Sequence, residues 1–402
     1  MGSVWFKRSR RVLPAIVLSL VIAGEALAIS WSPIKMVATG SVYAGFLNRA
    51  LAVGTATAHV TYDTETGAVV YRRGASLGGS WATAKTIQGA SASIYYFTQG
   101  IAAYSNTVVV VYEGYDFASG LTSVYAKRSL DGGVTWQART LIGSYTSEAG
   151  PASAAVAVSS GVIVVAWTDP TNDSVYIKRS TNGGTSWLTR QKVGTTTHDP
   201  IGSDVSDGYV GVSATGARVH VAWVPSVAAD EFSGSALVIR RSTDSGANFA
   251  AQQTLESRDL DPYNAPAITT NGMGLLATYS LTTGAIVTAY SADGGATFTK
   301  QTIATPGSTY YYFQGDVFLG SNGLARVTVN RTNISTLEDR VMIRESTTGG
   351  STWGSATTAI GAAPESKFES AVVATGTYTL VLADAFPGED PSLELHSRRG
   401  TN

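Results

Sequence analysis

Cysteine is absent from this chain, and only four histidines and four methionines occur among its 402 residues. Without thiols there is no disulfide framework, no thiolate metal centre, no cysteine nucleophile and no lipidated N-terminal cysteine. His59, His198, His220 and His396 are scattered without ligand spacing, which argues against a transition-metal site. Charge is scarce as well: 14% of residues are charged and the formal net charge is -1, so there is no basic footprint for nucleic acid or an anionic membrane. Long apolar runs are missing except near the start, where Lys7, Arg8, Arg10 and Arg11 precede an apolar segment at 12–23 and then Ala26-Leu27-Ala28. That segment holds about a dozen residues and contains Pro14, short of the roughly 20 needed to span a bilayer as a helix. Residues 1–28 therefore read as a signal peptide and 29–402 as one mature domain. The expected location is secreted, extracellular or cell-surface, or periplasmic in a Gram-negative host, with no membrane insertion after cleavage.

What the chain has in abundance is glycine, 43 residues, beside 44% hydrophobic side chains. The glycines recur in one pattern. Arg128-Ser129-Leu130-Asp131-Gly132-Gly133-Val134-Thr135-Trp136 is followed by kindred runs ending at Trp187, Phe249, Phe298 and Trp353, and a degenerate Gly78-Gly79-Ser80-Trp81 precedes them. The closing aromatics stand about 49 to 62 residues apart, the length of a four-stranded antiparallel unit with its loops. Within each run the Ser oxygen and the oxygen of Asp131, Asn182, Asp244 or Asp293 can accept backbone N–H bonds in a tight turn. The glycines supply positive φ and the aromatic packs beneath. These acids read as structural.

Around each run the pattern is apolar strand, turn, apolar strand, polar loop, strand, run, strand, as in 152–158, 162–167, 174–179 and 187–193. Six units carry such a run, and three further strands at 370–374, 378–383 and 392–398 follow the sixth. The strand they lack lies at the other end, because 31–37 matches the fourth strands 81–87, 136–142 and 187–193. The expected fold is therefore all-β, a seven-bladed β-propeller of four-stranded antiparallel blades closed by the N-terminal strand 31–37. Six blades with an appendage is the alternative. Closure removes the sheet edges that an open array would expose.

The repeated turns lie between third and fourth strands, so the loops joining second and third strands occupy the opposite face, the one with room for function. Six of the seven blades place a carboxylate there, among them Glu113 with Asp116, Asp169 with Asp173, and Asp384 with Glu389 and Asp390. The crossovers into first strands add aromatics, including Tyr95-Tyr96-Phe97-Thr98-Gln99-Gly100 and Tyr311-Tyr312-Phe313-Gln314-Gly315. Aromatic faces beside carboxylates and amides suit sugar rings, whose C–H faces stack while their hydroxyls need acceptors. The candidate ligand-binding set is Arg49, Tyr96, Gln99, Asp116, Arg258, Tyr263, Tyr312, Gln314, Arg331 and Glu369. The plainer alternative is that the rings wedge blades together and the acids solvate loops. Asp169 with Asn172 and Asp173, or Glu389 with Asp390, offers oxygen ligands for Ca2+, though neither follows a recognised loop pattern.

The repeated runs resemble Asp boxes, also called BNR repeats, and through them the whole mature chain resembles the sialidase-like Asp-box superfamily. The resemblance implies a propeller; it does not by itself imply an activity. Sialidases of that superfamily are six-bladed, hold the substrate carboxylate with three arginines, the first in an Arg-Ile-Pro sequence, and use a tyrosine nucleophile paired with glutamate. No Arg-Ile-Pro occurs here, and sequence alone cannot pair Tyr263 or Tyr312 with Glu256 or Glu369. The leading expectation is a recognition module binding glycan or an extracellular protein. The alternatives are a sialidase-like or other glycoside hydrolase gripping an anionic sugar through Arg49, Arg258 or Arg331, and a structural or assembly factor. Catalytic residues are not assigned.

Overall fold

A computed structural model describes residues 29–38, 42–43, 49–146, 152–196, 209–225, 236–261, 265–361, 365–366, 369–387 and 394–401. The segment read as a signal peptide lies outside them, as do Phe46, Tyr263, Phe368, Glu389 and Asp390. The described chain forms seven antiparallel sheets arranged as the blades of a closed propeller. Their inner strands are Leu51–Val53, Ile94–Tyr104, Ala154–Ser159, Val210–Thr215, Ala267–Thr270, Tyr310–Leu319 and Ser370–Ala374, and residues from all seven line one central channel of about 370 Å³. The small residues Ala, Gly, Ser and Val dominate that lining, as the crowded axis requires.

The second strands explain the apolar runs in the sequence. Val108, Val109, Val110, Val111 and Tyr112 are all fully buried, as is every residue of Val162–Asp169. A blade has neighbours on both faces, so its central strands lose the apolar–polar alternation of a one-sided sheet.

The seventh blade is built from both ends of the chain, as the sequence predicts. Ser30 and Trp31 pair with Thr401 and Gly400, and Lys35, Met36 and Ala38 pair with Ser397, His396 and Leu395. The outer strand is shorter than 31–37, however, and is broken between Trp31 and Lys35. The same offset recurs elsewhere: Thr140, Gln191, Gln253 and Thr357 open outer strands four residues after Trp136, Trp187, Phe249 and Trp353. In these four blades the aromatic lies in the turn, whereas Trp31 and Trp81 pair in short strands with Gly400 and Gly74. Trp136 meets Tyr71 edge-on at 4.9 Å, Trp353 Nε1 donates to Thr288 Oγ1 at 2.9 Å, and Trp81 Nε1 donates to Ser397 Oγ at 3.0 Å.

Each repeated turn is a small hydrogen-bonded box. Ser129 Oγ donates to Asp131 Oδ1 (2.7 Å) and accepts from Gly133 N (2.8 Å), while Asp131 Oδ1 accepts from Thr135 N (2.8 Å). Asn182, Asp244 and Asp293 repeat the arrangement, and Thr348 stands in for the acid in blade 6. Gly132 N donates to Asn106 O, which ties the box to the turn between first and second strands and fixes both on the same face.

A second repeat emerges from the structure. Two residues ahead of the Ser or Gly that opens the turn, the third strand carries a cation that reaches the outer strand of the preceding blade. Lys127 Nζ donates to Ile87 O (2.7 Å), Lys178 Nζ to Leu141 O (3.3 Å), Arg240 Nη1 to Val193 O (2.8 Å), Arg398 Nη1 to Ala359 O (2.7 Å), and Arg72 Nη1 to Val37 O. These bonds close the seams between blades.

Candidate functional site

The face opposite the boxes is where inner strands begin. In three blades the second strand carries a buried acid there at an equivalent position: Asp63, Glu113 and Asp384. Two of them cap the incoming backbone, Asp63 accepting from Thr98 N (3.3 Å) and Asp384 from Glu369 N (2.9 Å). Glu113 Oε1 accepts instead from Tyr145 Oη (3.0 Å), and its Oε2 has no hydrogen-bond partner among the described residues. Burial pushes its carboxyl up to about 8, against the lowering effects of the Tyr145 hydrogen bond and the Arg49 charge.

Asp316 reaches the channel because the inner strand of blade 6 bulges between Gln314 and Val317. Gly315 is required in that bulge, since a Cβ would sit 2.4 Å from Thr328 Oγ1 and 2.6 Å from Ser370 Oγ. Asp316 accepts from Val317 N (2.7 Å) and, across the seam, from Val372 N (3.1 Å), and burial lifts it to about 8 as well.

Arg49 spans the same end of the channel. Its guanidinium donates to Ser153 Oγ (3.2 Å) and Ala154 O (2.9 Å) in blade 3 and to Val210 O in blade 4. Desolvation lowers its pKa to about 10, opposed by the nearby Tyr209, Glu369, Glu113 and Asp316, and it remains a cation at neutral pH. The group, partly buried at the channel wall, braces three blades.

The other candidates separate. Gln99 and Gln314, both buried, link blades: Gln99 Oε1 accepts from Ala154 N (3.1 Å) and Gln314 Nε2 donates to Ala265 O (2.7 Å). Tyr96 is buried edge-on against Tyr112, and Asp116 caps its own turn by accepting from Ala118 N (2.9 Å). Glu369 contributes its main chain to Asp384 and its charge to the field around Arg49. Arg258 lies on the rim in a 2.7 Å ion pair with Glu256, which also accepts from Tyr279 Oη (2.9 Å). Burial alone would raise the Glu256 carboxyl, but the hydrogen bonds from Arg258 and Tyr279 and the Lys300 charge outweigh it and hold it at about 2. Tyr263 lies outside the described residues.

Two candidates do come together. Tyr312 and Arg331 line a half-open groove of about 300 Å³ in the seam between blades 5 and 6. The strands Thr299–Ala304, Tyr310–Leu319 and Ala325–Asn333 place them there. Ile303, Val329 and Met342 give the groove an apolar floor, Thr302 and Thr305 an exposed hydroxyl rim, and Arg344 a second guanidinium. Arg331 is stacked on Tyr310, its Cζ 4.3 Å from the ring centroid, which fixes its direction. Among the described residues no Asp or Glu lines this groove. Arg344 was not singled out from the sequence; the only signal for it is its place in Ile343-Arg344-Glu345-Ser346, where other blades carry the seam-closing cation.

No protein-family model and no curated protein matches the sequence. Solved structures share the fold. A PL25 ulvan lyase, described as a new family of polysaccharide lyase, aligns with TM-score 0.57 and 8% identity over 91% of this chain and 95% of its own. The endosialidase of phage phi92 aligns with TM-score 0.51 and 8% identity over 92% and 69%. A Trypanosoma rangeli sialidase gives 0.47 and 12% over 92% and 60%, so this chain spans about three fifths of that protein. Likeness at such identity shows the propeller architecture and leaves the chemistry to the residues themselves.

Glycoside hydrolysis uses two carboxyl groups flanking the scissile bond, and the groove presents none, while Asp316 at the channel already accepts two main-chain hydrogen bonds. Arg49, Arg258 and Arg331 lie in the channel, on the rim and in the groove, so they do not converge as a carboxylate clamp. Among the described residues no group of three or more His, Cys, Asp or Glu is placed to hold a metal ion. Asp169, considered as a calcium ligand, accepts from Asn172 N (3.2 Å) and Nδ2 (3.0 Å).

Proposed function

We propose that this chain is a secreted Asp-box propeller that recognises carbohydrate without cleaving it, through the groove between blades 5 and 6. The observation that carries the reading is the groove's composition: a cavity of about 300 Å³ with Tyr312 and two arginines on its walls and an apolar floor. That volume is at the lower end for small-molecule sites, which combine apolar walls with a few fixed polar groups. The box geometry supports the superfamily assignment, and the basic, apolar, small-residue N-terminus supports export.

The test is a glycan array probed with residues 29–402, paired with a product-release assay on every retained glycan. Retention of one saccharide class without product is the expected result. Release of product from a retained glycan would favour the hydrolase alternative, and retention of no glycan would remove the carbohydrate reading.

A further inference from the structure

The groove lies in one of the two seams that lack the cation bond found in the other five. In blades 1, 2, 3, 4 and 7 the third-strand cation donates to a carbonyl in the preceding blade's outer strand. Blade 5 has Ala289 at that position and no cation. Blade 6 keeps the cation as Arg344, whose Nη1 donates to Gly354 O (3.0 Å) in its own blade as Arg72 and Arg240 do to Ala82 O and Ala250 O, but it makes no hydrogen bond to the outer strand of blade 5 among the described residues, and that seam remains open. Arg331 reaches the same cavity from the neighbouring strand. Neither arginine has an ion pair with a carboxylate among the described residues, although Arg258, Arg326 and Arg340 do. Two half-buried guanidinium groups thus meet one cavity without a counter-charge.

A guanidinium fork matches carboxylate and sulfate oxygens two at a time, and it is stronger in a partly dehydrated site than on an open surface. We infer that the groove takes an anionic sugar: a ring bearing a carboxylate or a sulfate ester, with the anion on Arg331 and Arg344 and a C–H face over Val329 and Met342. This deepens the carbohydrate-binding reading of the same groove and rests on it. The neutral hydroxyls of the ring meet the rim at Thr302 and Thr305.

Titration calorimetry with an oligogalacturonate, a sulfated galacto-oligosaccharide and a neutral galacto-oligosaccharide tests it, the first two separating the two sources of charge. At least one anionic oligosaccharide is expected to bind ten times more tightly than the neutral one. Arg331→Gln and Arg344→Gln should each weaken that binding by about tenfold to a hundredfold, with partial recovery in Arg331→Lys. Thr305→Trp, which fills the groove from an exposed position and leaves both arginines in the chain, should abolish binding with an unchanged melting temperature. If the neutral oligosaccharide binds equally well and Thr305→Trp removes it, the anionic assignment falls while carbohydrate binding stands. Anionic binding unaffected by all these substitutions would overturn the groove as the site, and no binding of any oligosaccharide would overturn both readings.

Discussion

The repeated boxes show how much a single residue can fix. Gly133 has φ +86°, and a Cβ built on it would lie 1.8 Å from Tyr71 Oη of the preceding blade. Gly133→Ala therefore combines a left-handed backbone with an overlap, and a destabilisation of roughly 2–4 kcal/mol is expected from chemical denaturation. Blade 4 supplies the converse, since Ser245 occupies a left-handed φ of +61° where the other boxes place glycine. Ser245→Gly should stabilise by about 0.5–1 kcal/mol; a shift of the midpoint in the wrong direction would show that the side chain offsets its strain. These positions were legible in the sequence because glycine, serine and an acid at fixed offsets have one economical geometry. Arg344 was not, because its type and position match a cation that elsewhere closes a seam: like Arg72 and Arg240 it bonds a carbonyl of its own blade, and it differs in making no hydrogen bond to the preceding blade among the described residues.

At the scale of the strand, the carboxylates on the functional face were visible by type but not by environment. Glu113 reads as a loop acid, yet the second strand of blade 2 continues to Asp116 and takes Glu113 into the interior. Glu113 pairs with Phe97 and Val124 in the neighbouring strands, and how far such a ladder runs before the loop begins is not reported by the polar residues along it. Burial has a consequence for pH. The free carboxyl titrates near 4.5, and in the fold near 8, so the folded state keeps a proton that the unfolded chain releases. The stability this gives is complete below about pH 4.5 and is lost as pH rises towards 8. Glu113→Gln, which keeps an acceptor for Tyr145 Oη, should flatten the decline of melting temperature between pH 5 and 8.5 by a few degrees. Parallel curves for the two proteins would mean that Glu113 is ionised in the fold.

At the scale of the whole molecule, the count of seven was readable because a missing strand at one end matched a spare strand at the other. The pairing of Trp31 with Gly400 places it there. Removing residues 30–38 would strip the outer strand from the seventh blade together with the fully buried Val37. A loss of roughly 3–6 kcal/mol is expected. The check is thermal unfolding and light scattering of the truncated protein; an unchanged melting temperature and mass would show that the ring closes without this strand. The same clasp sets an order of events in time. Ser30 must wait for its partner Thr401 while the residues between them are synthesised, a delay on the order of tens of seconds at ordinary elongation rates. Six blades can assemble by local hairpins, whereas the seventh needs the most distant pairing the chain contains. During that interval the blades at the two ends of the growing arc each lack a neighbour on one apolar face, and any factor that shields those faces acts on an arc before there is a circle.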